Sequence, residues 1–320
     1  MRTKYSPRSS RSRPEGRPAV SDWPSVGVVI PTHDRPEQMR EALRSVLTQF
    51  YPGDLEVVVV YDRAKPDETV AAGGERPVRV MKNQRTPGLS GARNTGITAL
   101  DTELVAFLDD DDEWLPGKLT AQVQALGTAA EMCTTAIEVD YRGRRNARLA
   151  QRTTVRHVDL LRSRMMMLHS STFLFRRSAL LGGLGMVSED APGSQNEDWD
   201  MLLRAARRRP IAHVDTPYAL INWAGSHFET RWDTKISSLR WILERHPEIH
   251  GSPEGASRVY GQIACWHAAI GDRRQAMKWA VRATKANPGE PRAAVAAVAS
   301  AGLISVPTVM AALHRSGRGI

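Results

Sequence analysis

The segment ELVAFLDDDDEW, residues 103–114, sets an apolar run of strand length directly against four consecutive aspartates. Leu104 to Leu108 read as a buried strand. Asp109, Asp110, Asp111 and Asp112 then crowd like charges at its C-terminal end, and Glu113 adds a fifth. A chain does not need such a cluster in order to fold. A solvated acidic loop is the plain reading. Where a strand turns into a loop, however, carboxylates two apart converge, and Asp109-x-Asp111 has the spacing that holds a hard divalent cation. Mn²⁺ and Mg²⁺ take oxygen ligands and commonly complete their shell with substrate phosphates.

Working outward, the same strand signal recurs. VGVVI (26–30), LEVVVVY (55–61) and VRVMK (78–82) are short, β-branched and nearly free of polar interruption, as in strands buried on both faces. Between them, PEQMREALRSVLTQF (36–50) carries Met39, Leu43, Val46, Leu47 and Phe50 at helical spacing, and LSGARNTGITAL (89–100) reads as a turn entering a helix. Strands alternating with helices predict an α/β fold: a Rossmann-like, mostly parallel sheet with helices on both faces. Ligands of such sheets bind at the carboxyl ends of the strands. Asp34, Asp62 and the aspartate run all follow a strand, so all three are expected along one edge.

Two further stretches carry chemistry. GLSGARNTG (88–96) offers glycines for close backbone approach, a helix start that favours anions, and Arg93 for a phosphate or ribose. It lacks the spacing of a dinucleotide fingerprint and has no P-loop lysine. NEDWD (196–200) opens the helix NEDWDMLLRAARRR, with acids in the first turn and arginines in the last, as the helix dipole favours. A carboxylate there is either a helix cap or a general base delivered by the preceding loop. Elsewhere MCTTAIEVDY (132–141) and HSSTFLFRR (169–177) read as strands separated by a basic polar excursion. PIAHVDTPYALINW (210–223) reads as one or two strands.

Past residue 235 the texture is helical. ACWHAAIGDRRQAMKWAVRATKANP (264–288) has the helix, turn, helix, Pro order of one tetratricopeptide-type hairpin, too few to stack into a solenoid. Residues 293–313 carry no formal charge, but they are alanine-rich and interrupted by Gly302 and Pro307. Packed helices are therefore expected rather than a membrane span. The expected organisation is a basic disordered tail over 1–24, an α/β domain over 25–235 and a helical extension over 236–320. The extension is a candidate surface for protein or peripheral membrane contact.

The chain has 320 residues, of which 41% are apolar and 25% charged, which fits a globular protein rather than a disordered one. Its net charge is +9. The first 25 residues hold six basic and two acidic side chains, and their Arg, Ser and Pro content reads as disorder with no apolar signal core. The basic excess suits polyanionic partners, though no nucleic-acid recognition motif accompanies it. Cys133 and Cys265 stand far apart with no metal-ligand spacing, as expected of a protein in a reducing cytoplasm, free or at the inner face of the membrane.

Taken in order, VVIPTHDRPEQMREALRSVLTQFYP, LEVVVVYD, GLSGARNTGI, VAFLDDDDEWLPGKL and NEDWDMLLRAA resemble the inverting glycosyltransferases of family 2, which have the GT-A fold. The resemblance covers residues 25 to 230. It implies a metal-dependent enzyme that moves a sugar from a nucleoside-diphosphate sugar, UDP-sugar favoured, to an acceptor hydroxyl on a glycan, a lipid-linked or a small molecule. It implies Asp111 as principal metal ligand with Asp109 assisting, and Asp110 near the ribose. Pro31, Thr32 and Asp34 would line the base and ribose pocket, Asp62 the nucleobase edge, and Arg93 the nucleotide. Asp198 would be the catalytic base, supported by Glu197. His227, in the divergent acceptor half, is a further candidate for the metal or diphosphate. Tyr61 stands where the family often carries an aspartate, so dTDP- and GDP-sugars stay open. The alternatives are a sugar nucleotidyltransferase, against which IPTHDRPEQ lacks a Gly-rich run, and a non-catalytic scaffold, against which both sets of carboxylates are present.

Overall fold

A computed structural model of the chain describes residues 23–71, 74–141, 143–223 and 231–309. Its centre is four parallel strands: β1 (Val26–Thr32), β2 (Leu55–Tyr61), β3 (Val78–Lys82) and β4 (Leu104–Phe107). The helices α1 (Pro36–Leu47) and α2 (Leu89–Ala99) connect them. Alternation drives the layering. Val28 and Ile30 of β1 join Val57 and Val59 of β2 in one core, while Val29, Val58 and Val60 face the other. Each such side chain, fully buried, contributes about 1.5–3 kcal/mol.

The chain order creates the site. β1 pairs with β2 on one side and β4 on the other, so the connectivity runs outward to β3 and then returns across β1. That reversal leaves a crevice beyond the carboxyl ends of β1 and β4. The acidic run follows β4, and a short strand β5 (Glu113–Trp114) and helix α3 (Lys118–Leu126) continue from it.

The second half of the sheet comes from β6 (Met132–Tyr141), β7 (Arg144–Arg148), β8 (Thr154–Val155), β9 (Leu174–Arg176) and β10 (Ile211–Asn222). Around them lie α4 (His157–Arg162), α5 (Arg177–Leu181) and α6 (Glu197–Arg208). β9 runs antiparallel between β4 and β6, and β10 runs parallel to β6 and antiparallel to β5. The sheet is therefore mostly parallel, as expected, with β9 and β5 reversed along its main path. Two local readings differ. The basic excursion contains the hairpin strand β7, paired with β6 over Ile137↔Arg148 to Tyr141↔Arg144. HSSTFLFRR begins as a tight turn, not a strand, because Thr172 donates its hydroxyl to the His169 carbonyl at 2.7 Å.

Glycines of the GLSGARNTG segment serve packing. A Cβ on Gly96 would stand 2.4 Å from Val29 Cγ1, and one on Gly91 would stand 1.9 Å from the Thr86 carbonyl oxygen. The close approach they permit is of α2 to the sheet and of the preceding turn to α2.

The C-terminal helices are α7 (Trp232–Arg245), α8 (Pro253–Ala269), α9 (Arg273–Ala286) and α10 (Pro291–Ser300). α7 runs across the 235/236 boundary drawn from sequence. No helix among the described residues is long and apolar enough to cross a membrane. Of the contacts that tie these helices to the sheet domain, two are built on charged side chains with several partners. Arg162 of α4 forks onto Glu254 at 2.9 and 3.1 Å, beside the close contact of Gly255 with the Leu161 carbonyl. At the second, Asp200 of α6 is fully buried and accepts from Ser188 Oγ (2.8 Å), Arg204 Nε (2.9 Å) and Arg245 Nε (2.8 Å), with His246 Nε2 at 2.9 Å.

Burial alone would raise the Asp200 carboxyl, but His246, Arg204, Ser188 and Arg245 hold it well below the usual carboxylate range. A depressed carboxylate stabilises the fold at and above its unfolded pKa, and that stabilisation is lost as pH falls toward the folded value. Asp200→Asn strands Arg204 and Arg245 beside a neutral group. It is expected to lower unfolding free energy at pH 7 by about 3–5 kcal/mol and to flatten the acid limb of the stability profile. Urea unfolding at several pH values measures both, and an unchanged acid limb contradicts the assignment.

Candidate functional site

One side of the site is built where β1 ends. Pro31 pairs only toward β2, because β4 stops at Val29↔Phe107. Thr32 donates its hydroxyl to Asp110 Oδ2 at 2.8 Å, and the His33 amide adds a bond at 3.3 Å. Arg35, just ahead of α1, spans two aspartates: Nη1 lies 3.1 Å from Asp110 Oδ1 and 2.5 Å from Asp111 Oδ2. Burial pushes the Asp110 carboxyl up to about 6, against the Thr32 hydrogen bond and with the neighbouring Asp111 charge. Asp62, after β2, accepts from Asn83 Nδ2 at 2.7 Å, and His33 Nδ1 meets the Asp62 carbonyl at 2.7 Å. Asp34 is exposed and held at φ 53°, in the left-handed region.

Deeper in, Asp109 accepts from Arg93 Nη2 at 2.5 Å and from Ser170 Oγ at 2.8 Å. Burial would raise the Asp109 carboxyl, but Arg93 and His169 hold it below its ordinary value. Ser171 joins the pair: its hydroxyl receives the Asp109 amide at 3.1 Å and donates to Asp112 at 2.5 Å. Asp112 also accepts from the Asn222 amide at 3.2 Å, and His169 Nδ1 stands 3.4 Å from it. Burial, then the Asp111 and Asp109 charges, drives the Asp112 carboxyl well above the usual range. Burial lowers the His169 pKa and so favours the neutral imidazole that a metal takes.

Among the described residues, Asp109, Asp112 and His169 form the one group of three metal-type donors whose ligand atoms lie within 4.8 Å of one another. Asp111, expected as principal ligand, sits outside this triad on Arg35. Six carboxylates (Asp109 to Asp112, Glu197, Asp198) share three guanidiniums (Arg35, Arg93, Arg164), and the crowding that pushes Asp110, Asp112 and Glu197 up is what a bound cation would relieve. Two carboxylates and one imidazole are a donor set that could hold a divalent cation.

The facing wall of the crevice is the first turn of α6. Arg93 is buried to 1% exposure, and its Nη1 donates to Glu197 Oε1 at 2.8 Å while Nη2 holds Asp109. One guanidinium thus ties the aspartate run to the helix that carries Asp198. Burial, then Asp198, pushes the Glu197 carboxyl up to about 7 despite Arg93. Asp198 receives its neighbouring Trp199 amide at 2.7 Å on one oxygen and an Arg164 hydrogen bond on the other.

The structure thus gathers Thr32, Asp109, Asp110, Asp111, Arg93, Glu197 and Asp198 into one chain of contacts, with Pro31, Asp34 and Asp62 along the same edge. Arg93 lies inside this chain rather than on an open phosphate-binding surface. His227 lies outside the described residues. Sequence reasoning missed Arg35, Arg164 and His169 and gave Asp112 no role beyond its place in the aspartate run. Arg35 stood within THDRP and His169 at the head of HSST, but nothing in local spacing marks their approach to aspartates more than 55 residues away.

The family model described as glycosyl transferase family 2 matches residues 27–182. A GalNAc(5)-diNAcBac-PP-undecaprenol beta-1,3-glucosyltransferase of Campylobacter jejuni is 30% identical over 106 residues, which cover 32% of this chain and 34% of that protein. The chain thus matches about a third of that relative's length. The uncharacterized glycosyltransferase YwdF of Bacillus subtilis is 25% identical over 233 residues, covering 72% of this chain and 85% of YwdF. Among solved structures, S. aureus TarS 1–349 in complex with UDP-GlcNAc superposes with a TM-score of 0.58 at 17% identity, covering 92% of both chains. That likeness shows the fold alone, a GT-A-type α/β domain. With the motif residues drawn together at one sheet edge, residues 27–182 of this chain match the model of glycosyl transferase family 2.

Proposed function

We propose that the chain transfers a sugar from a nucleoside-diphosphate sugar to an acceptor hydroxyl in a single inverting displacement. The observation that carries this reading is the Arg93 bridge, which holds the candidate cation locus and the candidate base in fixed relation across the crevice. Thr32, Asp34 and Asp62 would border the nucleoside at the ends of β1 and β2, with Asp110 toward the ribose. UDP-sugar is the favoured donor, supported by the UDP-GlcNAc in the TarS complex. A lipid-linked glycan is the favoured acceptor class, supported by the undecaprenol-linked substrate in the C. jejuni relative's name.

Asp109, with Asp111 or Asp112 and His169, would hold the Mn²⁺ or Mg²⁺ ion, which when bound offsets charge on the departing diphosphate. The chain's own work is on the acceptor. Asp198 accepts the hydroxyl proton late in bond formation, when the attacking oxygen has become acidic. Arg164 hydrogen-bonds one Asp198 oxygen and orients the carboxylate, which keeps acceptor capacity for the incoming hydroxyl. Glu197, pinned by Arg93, fixes the helix turn from which Asp198 projects.

Asp198→Asn keeps the shape of the site and removes the base. It is expected to bind UDP like the parent in calorimetry and to lose sugar transfer by about 10²–10⁴-fold; full activity sinks the base assignment. For the cation, Asp111→Asn should weaken Mn²⁺-dependent UDP binding. Arg35→Gln should tighten Mn²⁺ alone by about three- to tenfold, because it removes the positive charge nearest Asp110 and Asp111. Titrations unchanged in both variants move the cation elsewhere. The same calorimetry with GDP and dTDP decides the nucleotide, and silence with all three favours the scaffold reading.

A further inference from the structure

The helical extension has one face that the proposed reaction does not use. α9 (Arg273–Ala286) contains Arg273, Arg274, Lys278, Arg282 and Lys285 and no acidic residue. Its inward face is Ala276, Ala280 and Ala283, all buried against the neighbouring helices. Its outward face is Arg274, Met277, Lys278, Val281, Arg282 and Lys285, all exposed. At 3.6 residues per turn these six fall within an arc of about 140°, opposite the alanines. Cations and apolar side chains thus alternate along one stripe. Arg274, Lys278, Arg282 and Lys285 have no carboxylate within ion-pair distance among the described residues.

Two features flank the stripe. Tyr260 of α8 and Trp279 lie with ring centroids 5.6 Å apart and line a groove of about 480 Å³ with His250, Arg282 and Lys285. Arg282 stands over the Trp279 ring at 4.7 Å. At the other end, the turn after α10 comes beside Arg273, since a Cβ on Gly302 would lie 3.8 Å from Arg273 Nη2. That turn exposes Leu303, 76% accessible, and Ile304.

A solvated helix face has no need of exposed Met277, Val281 and Leu303 among unpaired cations. A helix that lies on a bilayer needs both: apolar side chains reach below the headgroups, and lysine and arginine stems snorkel to the phosphates. Tyr and Trp are the side chains that settle at that depth. Anionic headgroups supply the charge the stripe lacks. We infer that the outward face of α9, with the Tyr260–Trp279 groove and the Leu303–Ile304 turn, docks this protein on an anionic membrane surface. The inference gains purpose, but no evidence, from the proposed lipid-linked acceptor, and its test requires no turnover.

Co-sedimentation of the full chain with vesicles tests it. Binding to phosphatidylcholine vesicles containing phosphatidylglycerol is expected to exceed binding to pure phosphatidylcholine by at least about tenfold and to weaken as salt is raised. Lys278→Glu/Arg282→Glu is expected to abolish that preference, and Met277→Ser/Val281→Ser to weaken it at unchanged charge. Both pairs are exposed, and unaltered circular dichroism and UDP binding show that the variants fold. Equal binding to both vesicle types, binding to neither, or charge-reversed protein that sediments like the parent overturns the inference. Retention on an RNA homopolymer without vesicle binding overturns it in favour of a nucleic-acid surface. Vesicle binding that persists in a chain inactive as a transferase separates this inference from the proposed reaction.

Discussion

The buried guanidinium of Arg93 is the constraint on which the site depends. It lies between Asp109, 16 residues on, and Glu197, 104 residues on, almost without solvent. A charge in that position is tolerable only when paired, here through both terminal nitrogens, because its lost hydration is large and removing one partner leaves an uncompensated charge. The pair therefore acts less as glue than as a spacer. Neither the loop after β4 nor the first turn of α6 can shift without exposing or orphaning an ion. Every other contact at the sheet edge, from Thr32 on Asp110 to Ser171 between Asp109 and Asp112, elaborates on that fixed separation.

A second buried carboxylate extends the frame outward. Asp200 sits two residues beyond Asp198 and grips α7 through Arg245 and His246. The helical region is thus continuous with the helix of the candidate base rather than appended to it. α8 reaches the same neighbourhood from another direction, through Glu254 on Arg162, two residues before the arginine that contacts Asp198. α7 and α8 therefore bear on the side of the crevice that carries Asp198, and the opposite side is built from β1, β4 and the loops that follow them.

Most of the fold was legible because its determinants are local. The β-branched runs at 26–30 and 55–61 and the amphipathic spacing of 36–50 prescribe strands and a helix with little help from tertiary contacts. The α/β class follows from their alternation. Placement of Asp34, Asp62 and the aspartate run on one edge follows from the same logic. What could not be read depends on encounters. His169 and Ser171 reach Asp112 only because β9 inserts between β4 and β6, which no spacing reveals. The glycines at 91 and 96 looked suited to a phosphate and instead meet Thr86 and Val29. In each case a residue type was noticed correctly while its neighbour was invisible from sequence.

The contacts of Asp112 also fix an order of events. Its hydroxyl donor Ser171 lies 59 residues downstream and its amide donor, Asn222, 110 residues downstream. Contacts of that separation require the most loop closure and form after local structure is in place. As the chain is synthesised from its N-terminus, the parallel strands β1 to β4 can assemble while the aspartates after them still face water. The crevice acquires its final shape only when β10 docks beside β6. Maturation of the site therefore coincides with completion of the whole sheet, and a chain cut short before residue 222 would keep its acidic signature while lacking the geometry that gives it meaning.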